Sequence, residues 1–101
     1  MIIERGEPTM EWIERPIYVK NRDAIHMRSA QQVVEVTKNF EADIRMVTKG
    51  TEFNPKSILE MLDFVFILRE NEPVAVKAKG TQALQAINAL EFLFEKILKK
   101  S

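Results

Sequence analysis

The sequence predicts an α+β domain: an antiparallel four-stranded sheet with three helices packed on one face, in the order β-α-β-β-α-β-α. Three observations predict it. Segments that alternate apolar and polar residues at period two trade places with segments whose apolar residues recur at helical spacing. The joints between them carry Asn21, Gly50, Pro55, Pro73 and Gly80, the residue types that break regular structure. A chain of 101 residues, 46% hydrophobic and 30% charged, suffices for one modest core. Such a run closes as an open-faced sandwich, one apolar sheet face meeting three apolar helix stripes.

Residues 1–14 hold Glu4, Glu7, Glu11 and Glu14 with Gly6 and Pro8, and no period runs through them. They read as an N-terminal extension to a domain of residues 15–101. Its Met10, Trp12 and Ile13 are candidates to pack on the domain or on another subunit, with Trp12 as a packing anchor. Pro16 opens the first strand, where Ile17 and Val19 share one side. After the polar break Asn21-Arg22-Asp23, residues Ala30, Val33, Val34, Thr37 and Phe40 fall at helical spacing. This predicts a helix that starts near His26 or Met27 and stops at Asn39.

Ala42, Ile44, Met46 and Thr48 then alternate with Asp43, Arg45 and Val47 as a second strand. Lys49-Gly50 turns into a short third strand at Thr51-Glu52-Phe53. Ser57-Ile58-Leu59-Glu60 has the form of a capping box and begins a second helix through Met61 and Leu62. Phe64 to Leu68 is apolar on every side, so periodicity leaves helix and buried extended chain both open. Val74, Val76 and Ala78 alternate with Lys77 and Lys79 as a fourth strand ended by Gly80. Thr81 is positioned to cap a last helix with the stripe Ala83, Ile87, Leu90, Phe94 and Ile97. Lys96, Lys99 and Lys100 suit its C-terminal dipole. Met46 and Met61 read as core or rim filler.

Composition excludes several function classes. Fifteen basic residues balance fifteen acidic ones, which argues against a nucleic-acid binder. With no cysteine and one histidine there is no thiolate or imidazole-rich metal site, and no cofactor is expected. The longest apolar run, Phe64 to Leu68, is far too short to cross a bilayer. The N-terminus lacks a basic region followed by an apolar run, so a cytoplasmic protein that avoids membranes is expected.

The chemistry concentrates at Ile25-His26-Met27-Arg28-Ser29-Ala30. His26 is the chain's one histidine and it stands at a predicted helix start. The first N–H groups of a helix lack intrahelical partners and, with the dipole, favour an anion. Arg28 adds a guanidinium suited to phosphate oxygens. A neutral imidazole is a nucleophile without a separate base. The parts of a transient phosphohistidine site are thus present. By spacing alone, His-x-Arg is also what a loop histidine beside a surface charge gives.

This segment resembles the active-site segment of HPr, the histidine-containing phosphocarrier of the bacterial phosphoenolpyruvate-dependent phosphotransferase system. Asn54-Pro55-Lys56-Ser57-Ile58-Leu59 resembles the family's regulatory serine segment, at the same separation from the histidine. Gly80 with Leu84, Ala86, Ile87 and Leu90 resembles its last strand-to-helix passage. The resemblance spans about residues 15 to 98 and marks a divergent member. It implies that His26 accepts phosphate on Nδ1 from Enzyme I, ultimately from phosphoenolpyruvate, and passes it to a IIA component for sugar transport or its regulation. It implies a stoichiometric carrier rather than an enzyme. Arg28 would contact the phosphoryl oxygens, and Ser57 would match the serine modified by HPr kinase/phosphorylase in some bacteria. Met27, Gln31, Ile58, Leu59 and Leu62 fall on the partner-docking surface. Ala24 stands where the family usually has glycine and Ser29 where it usually has proline; serine can cap the helix instead. Phe64-Val65-Phe66-Ile67 replaces a glycine-bearing loop. These departures also suit an adaptor of the same fold that binds partners without relaying phosphate. The extension and the apolar run suit a monomer or a weak homo-oligomer.

Overall fold

A computed structural model describes residues 9–19, 25–68 and 73–99. It contains β1 (Thr9–Tyr18), α1 (Met27–Thr37), β2 (Asp43–Thr48), β3 (Thr51–Phe53), α2 (Ile58–Ile67), β4 (Pro73–Gly80) and α3 (Ala83–Lys99). The strands form one antiparallel sheet in the order β1-β4-β2-β3. The element order and the fold class are those the sequence predicts.

Period two dictates the sheet's two faces. Ile17 on β1, Ile44 and Met46 on β2, Phe53 on β3, and Val74, Val76 and Ala78 on β4 turn inward. They meet Ala30 and Val33 of α1, Met61 and Phe64 of α2, and Ala83, Ala86, Ile87, Leu90, Phe94 and Ile97 of α3 in one core. Met46 and Met61 are fully buried within it. Phe53 and Phe64 lie edge to face, with centroids 5.6 Å apart, joining β3 to α2. The opposite face is charged: Arg45 pairs with Asp43 at 3.0 Å, and Lys77 with Glu52 at 3.3 Å.

The first strand begins earlier than the sequence suggests. β1 starts at Thr9, not at Pro16, and within residues 9–14 Thr9, Ile13 and Glu14 pair with β4. Two causes hide this. The register shifts between Thr9 and Ile13, which erases the alternation. Trp12 instead secures the segment on the open face, where Lys77 Nζ and Lys79 Nζ stand 4.7 and 4.8 Å from its ring centroid. Pro16 sits inside β1, which as an edge strand can spare an outward N–H. Met10 is exposed, and Ile13 packs against the core.

The helix ends hold further corrections. Phe64 to Ile67 is helix, the last turn of α2, and only Phe64 of these four is fully buried. α3 begins at Ala83, so its cap is Gln82 rather than Thr81. The Gln82 carbonyl accepts from Ala86 N–H, and the Gln82 side chain accepts from Glu41 N–H at 2.8 Å. α1 ends at Thr37 with Lys38 as C-cap, and Asn39 Nδ2 donates to the Glu35 carbonyl. The β2–β3 hairpin turns at Lys49 and Gly50, with φ of 55° and 75°, the left-handed pair that a two-residue turn needs. Gly80 has φ 113°, beside Ala42, a backbone that side-chain-bearing residues rarely adopt.

Candidate functional site

The site lies at the N-terminus of α1. His26 is the N-cap, in extended backbone with φ −147° and ψ −165°. Its Nδ1 accepts a hydrogen bond from Arg28 N–H at 3.3 Å. An imidazole nitrogen that accepts is unprotonated, so the ring proton resides on Nε2. Ser29 is not the cap expected of it; it is the third helical residue. Its Oγ accepts from His26 N–H at 3.3 Å, and the reciprocal bonds of a capping box are complete. Histidine thus serves where serine or aspartate usually does, because its Nδ1 offers the same acceptor to the helix end.

Exposure divides this turn by role. His26, Met27 and Arg28 are exposed, while Ile25, Ser29 and Ala30 are buried beneath them. The buried residues tie the turn to the core, and the exposed ones face solvent. Among the described residues, no carboxylate pairs with the Arg28 guanidinium. An electropositive helix end, an unprotonated Nδ1 and an exposed guanidinium therefore meet within three residues. Ala24 lies outside the described residues.

α2 supplies the neighbouring surface. Ser57 caps it, its Oγ accepting from Glu60 N–H at 3.2 Å. The reciprocal half of the expected box goes elsewhere: Glu60 Oε1 accepts from Asn54 N–H at 2.7 Å, because Ser57 N–H already donates to the Asn54 carbonyl. Thr37 Oγ1 donates to the Pro55 carbonyl at 3.0 Å, which pins the end of α1 to the start of α2. The two helices pack against each other. Met27 is 62% exposed, Leu59 74% and Ile58 39%; Gln31 is exposed and Leu62 half-buried against the core. Phe66, which the sequence left unassigned in an all-apolar run, is 86% exposed. It follows Leu59 and Leu62 at helical spacing on the same side of α2.

Chemically, the arrangement can hold a dianion on or beside His26. Among the described residues no carboxylate pair stands at the ring, and the sequence has no second histidine. Among the described residues, no group of three or more acidic or histidine side chains could bind a metal ion. Nor is any helix among them long and apolar enough to cross a membrane.

The family model described as "PTS HPr component phosphorylation site" matches residues 13–96, and the chain belongs to this HPr family. Its relatives include the phosphocarrier protein HPr of Mycoplasma pneumoniae, 30% identical over 81 residues, 79% of this chain and 90% of that one. The phosphoryl donor subunit DhaM of the PEP-dependent dihydroxyacetone kinase of Escherichia coli is 30% identical over 79 residues, 78% of this chain but 16% of that one. The crystal structure of HPr from Thermoanaerobacter tengcongensis superposes with a TM-score of 0.76 at 26% identity, covering 88% of this chain and 98% of that one. Membership supports a phosphocarrier role in the phosphotransferase system.

Proposed function

We propose that His26 accepts a phosphoryl group on Nδ1 from Enzyme I, ultimately from phosphoenolpyruvate, and passes it to a IIA-type acceptor in sugar transport or its regulation. The observation that carries this reading is His26 Nδ1 facing the N–H groups at the start of α1. The unprotonated Nδ1 attacks phosphorus. The Nδ1–P bond forms as the bond to the donor's leaving atom breaks, and the proton on Nε2 stays in place. Arg28 N–H is then free to donate to a phosphoryl oxygen, and the helix dipole favours the added charge. The Arg28 guanidinium binds the remaining oxygens as a fork. The reverse sequence delivers the group. The chain is a stoichiometric carrier and not an enzyme.

Met27, Gln31, Ile58, Leu59 and Leu62 form the docking surface for these partners. Partly exposed apolar residues suit brief, repeated encounters with different proteins. Ser57 is a second, regulatory phosphorylation site for an HPr kinase/phosphorylase. Phosphate there would meet the N-terminus of α2, which tolerates it, while adding charge to the docking surface. The functional unit is residues 15–101; of the extension, Thr9, Ile13 and Glu14 pair with β4. The protein works in the cytoplasm, as a monomer or weak homo-oligomer, without nucleic acid.

The test is incubation with phosphoenolpyruvate and the host's own Enzyme I. An acid-labile, base-stable phosphoryl group is expected on the wild type and none on His26→Ala. Absence of label from the wild type would contradict the reading. The exposure of Leu59 and Phe66 also suits an adaptor that binds without relaying; partner binding unchanged by His26→Ala, with no label, would establish that alternative.

A further inference from the structure

Ser29 is 3% exposed, beneath the exposed His26 and Arg28. Its Oγ accepts from His26 N–H, while His26 Nδ1 accepts from Arg28 N–H, each at 3.3 Å. His26 is therefore held twice, once by its main chain and once by its ring. Both bonds are made with His26 in extended backbone. The ring reaches back to the helix end only from the extended backbone at His26, and the Ser29 hydroxyl holds that backbone. The ring's bonds are those of the helix cap. An exposed imidazole released from such a clamp turns broadly about its last side-chain torsion. Its two nitrogens then exchange the roles of donor and acceptor.

We propose that Ser29 is a positioning residue for phosphoryl transfer: by holding His26 N–H, its hydroxyl keeps Nδ1 at the helix end as the unprotonated, attacking nitrogen. The inference rests on the reading of His26 as phosphoryl acceptor. It differs from ordinary helix stabilisation, because it concerns which nitrogen carries the proton. His26 is the one histidine in the chain, so nitrogen NMR of ring-labelled protein, at a pH where the ring is neutral, reports this imidazole alone. The wild type should show Nδ1 as acceptor and the proton on Nε2. In Ser29→Ala the ratio of Nε2–H to Nδ1–H forms should fall roughly tenfold, the change that loss of one ordinary hydrogen bond brings. Transfer from Enzyme I should slow by a similar factor. Ser29→Thr keeps the hydroxyl and should keep the wild-type ratio.

A Ser29→Ala protein with the wild-type tautomer ratio would overturn the inference, whatever its melting temperature. So would a slowed Ser29→Ala protein whose ring spectrum is unchanged, since that is a purely structural effect. The spectrum needs no phosphoryl donor. A wild type that takes no phosphoryl group therefore defeats the carrier reading, whereas a phosphorylated protein with a Ser29-independent ring defeats this inference alone.

Discussion

Replacing Thr37 by valine tests the link between the two helices that frame the site. Thr37 is fully buried, and its Oγ1 lies 3.0 Å from the Pro55 carbonyl and 2.9 Å from that of Val33. Valine matches threonine in shape, so the change opens no cavity. It removes the hydroxyl that serves the carbonyl of buried Pro55. Leaving a buried acceptor without its donor costs about 1–3 kcal/mol. In a domain near this size each 1 kcal/mol lowers Tm by about 4–8 °C, so a fall of roughly 4–24 °C is expected. Thermal unfolding by circular dichroism measures it. Thr37→Ser is the control: it keeps the hydroxyl and loses one buried methyl group, worth about 0.8 kcal/mol before any cavity effect. The reasoning is refuted if Thr37→Val melts within a degree of wild type, or if Thr37→Ser is the less stable of the two. The second result would make the methyl, not the hydroxyl, what Thr37 contributes.

Other outcomes follow from the same geometry. Phe64→Ala empties the centre of the core and breaks the edge-to-face pair with Phe53; urea unfolding should register a loss of about 3–5 kcal/mol. Ser57→Ala removes the cap of α2 at a cost of about 0.5–2 kcal/mol in the same assay, with transfer at His26 retained. Arg28→Lys keeps the charge but loses the guanidinium fork. Single-turnover kinetics should show slower transfer by roughly tenfold, while stability stays within about 0.5 kcal/mol, as expected for an exposed side chain.

Much of this fold is legible in the sequence, because most elements bury one face at a clear period. The stripe Ala83, Ile87, Leu90, Phe94 and Ile97 is buried on α3, and Ile44, Met46 and Thr48 are buried on β2. Legibility fails where periodicity is broken or absent. β1 escapes before Pro16 because its register shifts and because Trp12 is held by lysines distant in sequence. The last turn of α2 escapes because Phe64 and Phe66 look alike in a string, although one is buried and the other exposed. At the site, His26 and Arg28 stand out as residue types at a helix start. Which atom bonds which does not: the cap passes from Ser29 to His26, and the Glu60 carboxylate goes to Asn54, only once backbone directions are fixed. Gln82 takes the place of Thr81 at α3 because its partner, Glu41, is distant in sequence.

The central claim is that His26 carries phosphate on Nδ1, at the N-terminus of α1. The most direct measurement is NMR of ring-labelled protein after incubation with phosphoenolpyruvate and the native Enzyme I. Phosphorus coupling to Nδ1, with the proton retained on Nε2, is the result expected. Coupling to Nε2, or no phosphorus on the ring at all, would contradict it.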